Sequence, residues 1–274
     1  MSVTSRVGRD GRLVLTFERR GPRTILARCG YTLPLQVLAP MALDDSAAVV
    51  SILNPTGGLV GGDTLEIEID VAPGAHACLT TPSATKVYRA ESAPATQHVE
   101  LRVAAGARLE WVPDHTIPFA GAAFRQVISA KVGEGGALVV IDAFAAGRVA
   151  RGEAWRFALL DSTLSIRDRS GAVLHDRFLL RDGGPRGLGV TEQRPYFATM
   201  VVVADAGVAA FVERVSALEG GGEVDAGAGL LARRGAVVRC LAADAPALAR
   251  TVDAVWAAAR LEVLGIPPLA LRKT

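Results

Sequence analysis

The sequence predicts a mainly β protein of stacked, solenoid-like strands, with a few helices mostly in the C-terminal third. Three observations predict it. Polar and apolar residues alternate with period two in short runs, glycine turns recur about thirty residues apart, and the apolar spacing switches to three and four near the end. With 274 residues, 50% of them hydrophobic, the chain can bury a sizeable core.

The clearest strand covers residues 64 to 71, where Leu65, Ile67, Ile69 and Val71 alternate with Thr64, Glu66, Glu68 and Asp70 until Pro73-Gly74 ends the run. The design recurs: Val99, Leu101 and Val103 precede Gly106, another strand leads to Gly135-Gly136, and Leu164 and Ile166 precede Gly171. The turns VAPGAHACL, VAAGARLEW and VGEGGALVV resemble one another, with Gly74, Gly106 and Gly136 at intervals of 32 and 30 residues. A fourth copy, RDRSGAVLH, sets Gly171 another 35 residues on. Units of this size that bury their apolar sides on their neighbours build a stacked β architecture; a β-sandwich with similar hairpins is the alternative.

In the tail, Val208, Phe211, Val212 and Val215 share one face of a short helix at 208 to 218, followed by Gly220-Gly221-Gly222. Asp244 before Pro246 starts a longer helix, carried by Leu248, Val252, Val255, Ala259 and Val263 and stopped by Gly265 and Pro267. No linker, charge run or low-complexity tract divides the chain. A single domain over 1–274 is expected, with a β body at about 12–205 and a helix-containing part at about 206–268.

Thirty basic against twenty-eight acidic residues leave a formal charge of +2, too little to neutralise a nucleic acid backbone. The amino terminus, MSVTSRVGRDGRL, has no apolar stretch of the length of a signal peptide, and the longest apolar runs elsewhere fall short of a membrane span, so a cytoplasmic protein without nucleic acid or membrane partners is expected. Cys29, Cys78 and Cys240 are odd in number and far apart, which suggests buried thiols rather than a disulfide framework or a metal knuckle.

Four segments are conspicuous. NPTGGLVGGD, residues 54 to 63, spaces Gly57 and Gly62 like a phosphate loop, but Asp63 stands where a lysine is needed, and a strand rather than a helix follows. Gly57, Gly58, Gly61 and Gly62 therefore make either a tight corner or a docking loop. In TTPSATKVYRA, Lys86, Tyr88 and Arg89 combine residue types that recur at protein interfaces with the solvated side chains of an ordinary strand. In LEWVPDHTIPFAGA, Glu110, Asp114 and His115 offer donors for a divalent ion, as does Asp63, without a diagnostic spacing. In GRVARGEAW, Gly147, Arg148 and Glu153 read as an ion pair at a turn. A nucleophile elbow is absent, and three Trp with three Tyr are few for a sugar-binding platform.

Taken together and in order, these four segments and the final helix with Trp256, Arg260 and Gly265-Ile266-Pro267 resemble the UreD family, over roughly residues 12 to 268. The resemblance implies a β-helical body with a few helices and no catalytic turnover. It also implies a scaffold that binds UreF, recruits the GTPase UreG through it, and docks on apo-urease for nickel insertion. Members have been proposed to pass nickel through an internal channel, so no tightly bound cofactor is implied, only nickel in transit. The positions carried over are Gly57, Gly58, Gly61, Gly62, Asp63, Lys86, Tyr88, Arg89, Gly147, Arg148 and Glu153. Pro55-Thr56 departs from the family's double proline, Asp114-His115 from its Gln-Glu, and the family's tryptophan near Asp142 is missing. The competing reading is a metal-dependent β-barrel enzyme that uses His115 and the nearby carboxylates.

Overall fold

The computed structural model describes residues 9–42, 46–185, 191–218 and 222–271. The chain opens with the antiparallel pair β1 (Asp10–Arg20) and β2 (Arg23–Tyr31), followed by the short β3 (Gln36–Val37) and β4 (Met41–Ala42), and β5 (Ala48–Leu53). The body continues with β6 (Thr64–Val71), β7 (His76–Thr80), β8 (Thr85–Val87), β9 (Ala95–Val103), β10 (Arg108–Val112), β11 (Thr116–Pro118), β12 (Ala123–Val132) and β13 (Ala137–Ala145). It closes on β14 (Leu159–Asp168) and β15 (Gly171–Arg181), after which come β16 (Tyr196–Val203), α1 (Val208–Ser216), β17 (Val224–Leu230), β18 (Ala236–Ala242) and α2 (Ala245–Glu262).

Two sheets face each other. One has seven strands in the order β15-β14-β12-β9-β6-β1-β2, and the other runs β17-β18-β16-β13-β10-β7-β5-β3. Along the middle of each, neighbours are parallel and in register, as Ile67↔Val99 and Val99↔Ile128 illustrate in the first and Leu79↔Trp111 in the second. Each coil thus runs up a strand of the first sheet, crosses a tight turn, runs along the second sheet and returns by a long loop. The expected solenoid is what forms.

The tight turns are alike. Ala75, Ala107 and Gly136 donate their N–H to Ala72, Ala104 and Gly133, and Gly74, Gly106 and Gly135 hold φ of 68°, 63° and 65°. Positive φ after Pro73 is the residue pattern of a type II turn, which glycine adopts without a Cβ clash. The third turn glycine is therefore Gly135, one residue before Gly136, the position expected from the spacing. The fourth copy does not make a coil turn: Gly171 joins β14 and β15 as an antiparallel hairpin in one sheet. Asp168 and Arg169 occupy the places of Val71 and Ala72 there, and charged side chains do not fit a corner that needs apolar and small ones.

Burial explains the strand patterns. Leu13, Leu15, Phe17, Ile67, Ile69, Leu101 and Ile128 fill the lumen between the sheets, while alternate residues of the seven-stranded sheet face solvent, hence the period-two signal. The second sheet is covered on both sides: α1 and α2 lie on its outer face over Cys78, Val139, Ile141, Met200 and Cys240. β13 is buried at all nine positions and accordingly reads as a near-continuous apolar run. Cys78 and Cys240 are buried thiols as expected, whereas Cys29 is exposed on β2.

Asp244 caps α2 by accepting the N–H of Ala247 at 2.7 Å. The helix ends near the expected Gly265, which has φ 63°. α1 buries Phe211 and Val215; of the glycines that should stop it, Gly220 and Gly221 lie outside the described residues. Both expected helices form, and β17 and β18, which lie beyond the expected β body, extend the second sheet.

Candidate functional site

All four conspicuous segments lie on one edge of the solenoid. Residues 54–63, 81–94, 113–122 and 146–158 are the long returns from the second sheet to the first, and they zip to one another. Leu59 N–H donates to Lys86 O and Tyr88 N–H to Leu59 O, both at 2.8 Å; Phe119 N–H donates to Val87 O at 2.8 Å, and Gly121 N–H to Arg156 O at 2.8 Å. β8 and β11 pair in parallel within this strip.

Gly58 is required by close approach. A Cβ there would lie 2.5 Å from Lys86 O and 2.8 Å from the Tyr88 ring. Tyr88 donates its hydroxyl to Gly57 O at 3.3 Å and sets its ring edge-on to Phe119, with centroids 5.1 Å apart. The Arg148 guanidinium lies 4.2 Å over the other ring of that pair, Phe119, and grips Glu153 bidentately, Nε to Oε2 at 2.7 Å and Nη2 to Oε1 at 2.5 Å. The expected ion pair is thus present, and it keeps the Glu153 carboxyl below the usual range, chiefly through the hydrogen bonds from Arg148. Gly147 lets this turn close against the Glu153 carbonyl. Lys86 and Arg89 are exposed on the strip.

Asp63 is a clamp. It is buried, and its two oxygens accept the N–H groups of Arg9 and Val60, each at 2.8 Å. Asp114 and His115 pair with each other, Nδ1 to Oδ1 at 2.8 Å, beside a cavity of about 250 Å³ under Leu248, Val252 and Trp256. Glu110 is not with them. It points to the outer face of β10, where its Oε1 accepts from His76 Nε2 at 2.8 Å and Arg260 Nη1 at 2.6 Å, and its Oε2 from Trp256 Nε1 at 2.6 Å. Glu110 is 0% and Arg260 1% exposed, so Trp256 and Arg260 staple α2 to the sheet instead of presenting a partner surface. Among the described residues no three His, Cys, Asp or Glu side chains converge as a metal site.

Beneath the strip the lumen opens into a cavity of about 270 Å³, lined by Asn54, Gly57, Thr85 and Lys86 toward the loops and by Gln97, Trp111, Gln126 and Asp142 inside. Gln97, Gln126 and Ser162 occupy one register row on β9, β12 and β14. Gln97 Nε2 donates to Gln126 Oε1 at 3.1 Å, and Gln126 Nε2 to Asp142 Oδ1 at 2.8 Å; Ser162 Oγ donates to Asp142 Oδ2 at 3.0 Å. Burial pushes the Asp142 carboxyl up to about 6, against the pull of those two hydrogen bonds. The indole N–H of Trp111, which lines this cavity, has no protein partner among the described residues. Sequence reasoning passed over this ladder. Its signal was there: Gln97, Gln126, Ser162 and Asp142 each fall at a position where the strand pattern calls for an apolar, inward residue.

A family model described as "UreD urease accessory protein" matches residues 9–274. The chain belongs to the UreD urease accessory protein family. A UreD from Deinococcus radiodurans is 36% identical over 267 residues, covering 97% of this chain and 95% of the relative. One from Mycolicibacterium gilvum is 36% identical over 248 residues, 88% and 90% of the two chains. One from Haloarcula marismortui is 34% identical over 272 residues, 97% and 91%. For a UreD chain the loop edge is thus the place where the segments that carried the resemblance meet. Among the described residues no helix is long and apolar enough to cross a membrane.

Proposed function

We propose that this chain is a non-catalytic scaffold of urease maturation in the cytoplasm. It docks on apo-urease and holds UreF, and through UreF the GTPase UreG, while nickel is inserted into the urease active site. The observation that carries the reading is the convergence of four motif loops on one edge, directly over a cavity with one polar wall that ends on Asp142. A loop strip zipped by backbone hydrogen bonds presents a fixed shape to a partner at little ordering cost.

Nickel is cargo in this reading, and the lumen ladder is the stretch of wall it passes. Asp142, Gln97, Gln126 and Thr116 line the cavity with oxygen donors and offer neither thiolate nor imidazole. Such donors hold a borderline divalent ion weakly, which suits transfer and not storage. With its carboxyl at about 6, Asp142 is mostly ionised at neutral pH and loses its charge as the pH falls through that value. Asp63, with both oxygens occupied, holds the glycine loop in place and leaves the contact to Lys86, Tyr88 and Arg89.

Pull-down of purified UreF by this chain tests the scaffold, and absence of binding at micromolar concentrations would sink it. Nickel-dependent urease activation in a strain lacking the gene tests the role: full activation without the gene refutes it. Lys86→Ala and Asp63→Ala, scored separately for complex formation and activation, divide docking from transfer.

A further inference from the structure

Among the described residues no helix covers the outer face of the seven-stranded sheet: α1 packs on β17, and α2 on β13, β16, β17 and β18, of the other sheet. Parallel strands in register set side chains of equal position about 4.8 Å apart, so charges on this face form rows. One row runs Thr16, Asp70, Arg102, Lys131 and Arg167 across β1, β6, β9, β12 and β14. Like charges directly opposite one another cost stability in a sheet, and here three cations stand side by side. They line a surface groove of about 550 Å³, together with Arg169 and the carboxylates of Asp70 and Asp168, the latter paired with Arg233 at 2.9 Å.

The two halves of the row differ. Arg102 is neutralised by Asp70 at 3.1 Å and by Glu68 and Glu100. Lys131 and Arg167 are exposed, and neither they nor Arg169 have an ion pair among the described residues. The row behind them holds Ser129, Ser165 and His175 where the other half holds Glu68 and Glu100, and Ser165 Oγ lies 2.8 Å from His175 Nδ1. The Ser129 hydroxyl behind two unopposed cations complements carboxylates, with Ser165 and His175 hydrogen-bonded to each other beside it.

We propose that this patch, Lys131 and Arg167 with Ser129 and Ser165, docks a short acidic segment of a protein partner. A nucleic acid strand fits it poorly. Followed along the row past Arg102, a polyanion meets Asp70, and along the strands it meets Glu100 and Glu68; nor does this part of the face offer an aromatic side chain for base stacking. The charge pattern confines the ligand to a few carboxylates. The patch lies away from the loop edge, so it would give the scaffold a second, independent contact.

The inference rests on the proposed scaffold role, and the test keeps the two apart. Binding of the full chain to purified apo-urease and, separately, to UreF is titrated at low and high salt for the wild type, Lys131→Glu/Arg167→Glu and Lys131→Gln/Arg167→Gln. Both side chains replaced stand at exposed strand positions, and thermal melts check that both variants fold. The expected result is a loss of at least about tenfold for one partner with the reversed charges, a smaller loss with glutamine, a shallower salt dependence, and no change for the other partner. Unchanged binding of both partners overturns the patch while leaving the scaffold intact. Binding of neither by the wild type refutes the scaffold and the patch with it. Binding of a DNA duplex that the charge reversal abolishes would reassign the patch to nucleic acid.

Discussion

Replacing Asp142 by asparagine should make the protein more stable and a worse accessory protein. In the unfolded chain this carboxyl titrates near 3.9, and in the fold it titrates at about 6. A raised folded pKa means that the native state holds its proton longer than the unfolded state. Stability is therefore greatest below about 4, falls as the pH rises from there to about 6, and stays lower above. The gap between the folded and unfolded values corresponds to roughly 3 kcal/mol at most. Asparagine keeps the shape, can accept from Gln126 through its oxygen and can donate to Ser162, and carries no charge to desolvate. Urea denaturation at pH 7.5 should show Asp142→Asn more stable by about 1–3 kcal/mol, with the advantage gone by pH 4. Urease activation by the same variant should drop while UreF binding is kept. A stability difference that is the same at both pH values refutes the burial argument, and undiminished activation refutes the role of the carboxylate.

Glu110→Ala removes the buried carboxylate that accepts from Arg260, Trp256 and His76 and should cost about 3–5 kcal/mol, read by chemical denaturation, with α2 becoming sensitive to limited proteolysis. Gly58→Ala forces Lys86 O and the Tyr88 ring aside and should cost about 1–3 kcal/mol; the protein folds but binds its loop-edge partner more weakly. Arg148→Lys loses the fork on Glu153 and the flat contact with Phe119, so it should behave nearly like Arg148→Ala in partner binding, while the melting temperature of both variants stays close to that of the wild type.

The strands of the first sheet were legible because one of their faces is wet: Ile67 and Glu68 sort to opposite sides, and the alternation survives in the sequence. β13 and β16 have both faces covered and lose it. The coil turns were legible through glycine and small residues, down to a one-residue ambiguity between Gly135 and Gly136 that only backbone conformation resolves. The hairpin at Gly171 was misread because a glycine between apolar runs serves an in-plane reversal as well as a sheet-to-sheet corner. Local sequence could not reveal the Glu110 staple, whose partners His76 and Arg260 lie 34 and 150 residues away. The same holds for the lumen ladder, where four strands contribute one polar residue each. The loop segments were found as motifs, but their convergence on one edge follows from stacking, which no single segment contains.

That stacking also poses a hazard. A solenoid whose last coil matched its first would offer a ready template at each end, and copies would add on as a growing filament. Here the first sheet is closed at one end by β2 and at the other by β15, and both run against their neighbours. A chain reversal at each terminus denies an incoming molecule the parallel register that the interior coils share. The misplaced fourth repeat is thus a stop signal: by turning back in its own plane at Gly171, the chain counts its coils and ends the series.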